Sequence, residues 1–115
     1  MNPISIQNAP HYVWGGDCDG WHLMSNPAVS VIQERVPPGR AEVWHYHQHT
    51  VQFFYVLDGE LTIEVGSRLY RLSAREGLQV MAGEAHQVRN EADQEVVFLV
   101  ISVPPSHGDR VLVTQ

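Results

Sequence analysis

The chain has 115 residues, seven arginines and no lysine, and thirteen acids give it a formal net charge of −6. This length supports one domain with its own core, and the acidic balance argues against a polyanion-binding surface. The missing lysine excludes Schiff-base chemistry, pyridoxal phosphate attachment and the phosphate-cradling lysine of a P-loop. Cys18 is the only cysteine, which excludes an intramolecular disulfide and any multi-cysteine zinc site. Met1 to Trp14 lacks a basic stretch followed by an apolar run, and no segment reaches the roughly 18 apolar residues of a membrane span. The expectation is a cytoplasmic protein with neither nucleic-acid nor membrane partners.

In chain order, residues 1–28 are expected to form an N-terminal arm with the first strand or strands. Their least legible part carries Trp14, Trp21, His11 and His22 among Gly and Asp. Val29 to Val36 is rich in β-branched residues and is stopped by Pro37-Pro38-Gly39. Glu42 to His47 and Val51 to Leu57 read as strands joined by a turn near His49-Thr50, which pairs them as a hairpin. Asp58-Gly59 reads as a second hairpin turn leading into the alternating Glu60 to Val65. Gly66-Ser67 turns into Arg68 to Leu72, and Gly77 to Met81, His86 to Arg89 and Gln94 to Val103 follow. Residues 104–115 form a tail or one edge strand. No window holds a convincing 3.6-residue apolar stripe, so the prediction is an all-β antiparallel sandwich or barrel over 29–103 within a single domain.

Seven histidines in a chain of this size are the unusual feature, because imidazole serves both metal ligation and proton transfer near neutral pH. His45 and His47 lie in a strand reading, so they project from one face about 6.5–7 Å apart at Cα, where two imidazoles can converge on one ion. Gly39 stands six residues before His45, Gly59 twelve after His47, and Gln52 lies between. Further on, Gly83-Glu84-Ala85-His86 is followed by Asn90. These spacings resemble the two motifs of the cupin superfamily, G-x5-H-x-H-x3,4-E-x6-G and G-x5-P-x-G-x2-H-x3-N. The first matches from Gly39 to Gly59 except that Gln52 replaces its acid. The second matches from Gly83 to Asn90, with Met81 at the proline position.

The resemblance implies a small single-domain cupin, an antiparallel double-stranded β-helix or jelly-roll barrel with a metal in its mouth. Carried over position by position, the metal ligands are His45, His47, Gln52 and His86, and Asn90 orders the chain after His86. The cofactor is one divalent transition metal: Zn, Ni, Mn, Fe or Cu. A neutral Gln52 in place of a carboxylate leaves more of the ion's charge uncompensated and favours Lewis-acid over oxygen chemistry. Phe54, two positions beyond Gln52, faces inward as core or pocket wall. His49 is an alternative ligand, though a place at the turn suits it better. Glu42 and Glu84 are the nearest acids and read mainly as solvated charge, with a proton shuttle as the alternative; Trp44 and Tyr46 alternate out of phase with the histidines.

The His, His, Gln, His order is also similar to that of cupins that linearise unsaturated uronates. Those carry an Asp and a Phe on the last strand, where this chain has Val100 and Ser102, and their arginine lies closer to the Pro-Pro pair than Arg110 does. Three functions fit: a Lewis-acid isomerase or lyase acting on a small polar or carbohydrate-derived substrate, a metal-dependent dioxygenase, or a non-catalytic cupin that binds a small ligand. Abundant apolar and aromatic surface, with the cupin resemblance, also implies a homodimer.

Overall fold

β-Branched and aromatic runs become strands wherever Gly, Pro or Asp punctuates them, and the computed structural model, which describes residues 2–113, forms eleven strands and no helix among these residues. They are β1 (His11–Trp14), β2 (Cys18–Ser25), β3 (Ser30–Val36), β4 (His45–His47), β5 (Val51–Asp58), β6 (Leu61–Val65), β7 (Arg68–Leu72), β8 (Gly77–Val80), β9 (His86–Arg89), β10 (Val96–Val103) and β11 (Arg110–Leu112). One sheet has the order β1-β2-β3-β10-β5-β8 and the other β11-β4-β9-β6-β7. Every pairing within them is antiparallel. The fold is therefore an all-β double-stranded β-helix, a two-sheet jelly roll. No helix among the described residues is long and apolar enough to cross a membrane.

The period-two pattern of each strand fills the space between the sheets. Along β10, Val96, Phe98, Val100 and Ser102 are buried, while Val97, Leu99 and Ile101 turn outward. Beside them on β5, Val56 is completely enclosed, as are Leu61 and Ile63 on β6 of the facing sheet. Full burial of one such side chain stabilises the fold by about 1.5–3 kcal/mol before entropy is counted. Cys18 lies in this core as an inert thiol, and burial pushes its pKa up. Asn90 is also buried; its Nδ2 donates to the carbonyls of Val36 at 2.9 Å and Gln94 at 2.8 Å, which ties the turn after β9 to the end of β3.

Two turn assignments differ from the sequence expectation. Asp58-Gly59 is a crossing between sheets and makes no hairpin, because β5 lies in the six-stranded sheet and β6 in the other. Gly59 has φ +88°, and a Cβ there would meet the Glu95 carbonyl oxygen at 2.5 Å, so glycine lets two backbones pass at this corner. The His49-Thr50 turn likewise joins strands of different sheets: β4 pairs with β9 and β11, not with β5. Gln52 therefore faces the histidines across the interior. The N-terminal segment is a β1–β2 hairpin that extends the six-stranded sheet beyond β3, and β11 borders β4. At position 75, where the second cupin motif writes glycine, Arg75 holds φ 70° while its N–H donates to the Val56 carbonyl at 2.7 Å.

Candidate metal centre

Alternation along β4 sends His45 and His47 into the interior and turns Tyr46 outward. Register between β4 and β9 places His86 directly beside His45. The three rings are buried, with centroids 4.4–5.8 Å apart, and one nitrogen from each lies within 4.8 Å of the others. Two backbone carbonyls set the ring orientations. His45 Nδ1 lies 2.8 Å from the Val43 oxygen and His86 Nδ1 3.0 Å from the Glu84 oxygen, so Nδ1–H donates there and Nε2 keeps its lone pair for the interior.

The remaining polar atoms point to an ion. His86 Nε2, both ring nitrogens of His47 and Gln52 Oε1 are buried without a hydrogen-bond partner, which is costly; one ion would take up His86 Nε2, one His47 nitrogen and the amide oxygen. Gln52 Nε2 donates to Ser102 Oγ at 3.1 Å, which leaves the amide oxygen as the free end. Burial pushes the His45 pKa down to about 4, helped by the neighbouring rings of His86 and His47 and opposed by the Val43 carbonyl. Burial also lowers His47 and His86; the Gln52 carboxamide beside His47 opposes this, although no hydrogen bond closes between them. All three imidazoles are thus neutral at pH 7, the form that binds metal. Three neutral nitrogens and an amide oxygen suit a borderline divalent transition ion, so these residues fit the expected cofactor.

His49 does not join them. It is exposed at the turn, where its N–H and that of Thr50 donate to Asp109 Oδ2 at 3.0 and 2.9 Å. Those bonds hold the Asp109 carboxyl down at about 2. Phe54 is both core and wall: it lines the cavity beside the histidines and lies edge-on to His86 at 6.2 Å. Trp44 and Tyr46 are half-buried, out of phase with the ligand set. Glu84 is exposed and caps its own turn, accepting the Met81 N–H at 2.8 Å.

The acid that the sequence reading lacked comes from β3. A cavity of about 150 Å³ contains His45, His47, Gln52 and Phe54, and Glu34 lines its wall together with Tyr12. Tyr12, Gly20 and Glu34 form one register row across β1, β2 and β3. A Cβ at position 20 would overlap the Tyr12 ring, so glycine lets the tyrosine lie across β2 and donate to Glu34 Oε2 at 2.9 Å. Loss of hydration raises the Glu34 pKa to about 7 against the lowering effect of this bond, and raises Tyr12 well above the ordinary phenol. Glu42 is the one reading of solvated charge that fails: it borders the same cavity, and lost hydration plus repulsion from Glu34 raise its pKa to about 8. The available signal for Glu34 was its phase. It stands between Ile32 and Val36 on the inward face of β3, an acid where an apolar residue belongs.

Residues 32–102 match the family model described as Cupin domain. The chain belongs to the cupin family. Over 70 residues, 59% of the chain, this cupin is 33% identical to the "Polyketide synthase CurC" of Streptomyces cyaneus, covering 46% of that protein. It spans about half the length of the curated relatives it matches. Its fold is similar to the polyketide cyclase RemF from Streptomyces resistomycificus, with TM-score 0.85 and 17% identity over 100% of this chain and 87% of that one. KdgF from Halomonas sp. gives TM-score 0.82 at 13% identity, covering 91% of this cupin and 94% of KdgF. At these identities the two structures are alike in fold.

Proposed function

We propose that this cupin is a metal-dependent Lewis-acid enzyme that moves a proton at the carbon next to a carbonyl, the step shared by isomerisation, elimination and aldol-type ring closure. The observation that carries the reading is Glu34, which shares one cavity with His45, His47 and Gln52, the two imidazoles converging with that of His86. A divalent transition metal held by His45, His47, Gln52 and His86 would polarise a substrate carbonyl. The Glu34 carboxylate takes the proton from the adjacent carbon, and the C–H electron pair becomes the carbon–carbon double bond of an enolate. The resulting carboxylic acid then gives that proton back to carbon or oxygen. A carboxyl that titrates near 7 can serve as base and then acid at neutral pH. Tyr12 holds Glu34 in place, and Glu42 stands on the same wall as a second proton carrier. The existence of a polyketide cyclase with this fold supports a carbonyl-bearing substrate. We also propose that the enzyme works as a homodimer through the outer face of the six-stranded sheet.

Deuterium uptake from solvent into a 1,3-diketone and an α-hydroxyketone, followed by NMR with zinc-, nickel- or manganese-loaded protein, tests the reading. Exchange should depend on metal, and Glu34→Gln should slow it by about 10²–10³-fold with metal content unchanged. Metal-independent exchange, or a Glu34→Gln variant as fast as the parent, would overturn it.

A further inference from the structure

The space beside the metal centre does not end at Glu34. A second cavity, about 420 Å³, lies on the side of the N-terminal hairpin and shares Tyr12, Glu34, Glu42 and Arg110 with the first. Its other walls are Trp14, Ala41 and Val43, with Gly15 at the hairpin turn. The volume falls within the range of small-molecule sites and exceeds what proton transfer alone requires. Its lining is chemically selective. Trp14 and Tyr12 present aromatic surface, and Ala41 and Val43 add aliphatic surface. The Trp14 Nε1–H is closed off from solvent, so what Trp14 offers a ligand in the chamber is ring surface. Arg110 is the only cation lining the chamber, and it makes no ion pair among the described residues. Two carboxyls, Glu34 and Glu42, share the wall with it. One arginine balances one negative charge; the second charge of a phosphate ester would lie unpaired beside two carboxyls and oppose their ionisation, whereas a neutral or singly charged ligand leaves no unpaired charge.

We propose that this chamber holds the non-reacting body of the substrate: a flat, largely apolar ring system that carries keto or phenol oxygens and at most one negative charge. The proposal rests on the Lewis-acid reading and names its substrate class. Trp14 and Tyr12 lie against the ring system, Val43 and Ala41 cover one face at the rim, and Arg110 meets the single acidic group. The reacting carbonyl then lies toward Glu34 and the histidines.

The probes are 3-hydroxy-2-naphthoate, 2-naphthol and glucose 6-phosphate, titrated by calorimetry and tryptophan fluorescence. Titrations use zinc-loaded protein and are repeated after chelator treatment. Binding that survives metal removal belongs to the chamber, so failure of the metal centre and failure of the chamber are separable. Naphthoate should bind at least tenfold more tightly than glucose 6-phosphate in both states. Val43→Trp, which fills the chamber from its rim, should weaken naphthoate about tenfold or more, a loss of about 1.4 kcal/mol; Ala41→Phe serves the same purpose if Val43→Trp does not fold. Arg110→Gln should weaken naphthoate and leave 2-naphthol unchanged, and Trp14→Phe should weaken both. Absence of saturable naphthoate binding would overturn the proposal. So would glucose 6-phosphate binding as tightly as naphthoate, or unchanged naphthoate affinity in a folded chamber-filling variant.

Discussion

Glu34 and Glu42 lose hydration on the same wall, with Tyr12 and Arg110 as the other titratable or charged groups lining both cavities. A carboxyl whose folded pKa is raised binds its proton more tightly in the folded state. Its stabilising contribution is therefore fully present below the unfolded value of 4.5 and is lost as pH rises through about 7 for Glu34 and about 8 for Glu42. Glu34→Gln and Glu42→Gln should each stabilise chelator-treated protein by roughly 1–3 kcal/mol at pH 8.5 relative to the parent, and by far less at pH 4.5. Thermal melts across that range check the sign. A variant destabilised at high pH would show that the native carboxylate is charged and paired.

Among the elements, the β1–β2 hairpin does more than widen a sheet. It carries Tyr12 over Gly20 to Glu34, and it forms the Trp14 wall. Gly20→Ala should push the Tyr12 ring aside while the fold survives, because a side chain and not backbone stands in the way. Losing the bond should then raise the Glu34 pKa, as Tyr12→Phe should also do; a carboxyl-carbon NMR titration reads both, and a pKa that does not move in either variant would contradict the coupling. Arg75 offers a second test at this scale. A left-handed backbone at a residue with a Cβ costs about 1–2 kcal/mol, partly offset by the greater chain entropy of glycine. Arg75→Gly should therefore stabilise the protein by about 0.5–1 kcal/mol in urea unfolding, and destabilisation would contradict it.

The same elements show what the sequence could carry. Strand identity was legible because alternation and punctuation are local, and the inward direction of His45, His47 and Phe54 follows from period two alone. Which strands pair is not local. Asp58-Gly59 has the composition of a hairpin turn, but the approach of Glu95, distant in sequence, makes it a corner. Gln52 was placed beside β4 for the same reason, although it faces the histidines from the other sheet. Glu34 was missed because a single acid in a strand becomes meaningful only when the strand's inner neighbours are known. Tyr12 was missed because its reach depends on a glycine in the next strand.

At the scale of the molecule, the outer face of the six-stranded sheet is short of polar cover. Val31, Ile101 and Phe53 form one cross-strand row, and Leu99 and Tyr55 stand in the next with Gln33. Phe53, Leu57 and Val103 are 39%, 41% and 51% exposed. A second copy related by a two-fold axis covers such a face with itself, sheet against sheet. Sedimentation at micromolar concentration should give a species of twice the 13.0 kDa chain mass, and Ile101→Glu should dissociate it. A parent that sediments as a monomer would contradict the dimer.

The most direct test of the metal centre is elemental analysis of untagged protein purified without chelator, alongside His86→Ala prepared identically. We expect close to one equivalent of a divalent transition metal in the parent and its loss in the variant, since His86 supplies one of three converging nitrogens. If both proteins were free of metal and neither took up added zinc, nickel, manganese, iron or copper, the ligand set of His45, His47, Gln52 and His86 would be wrong.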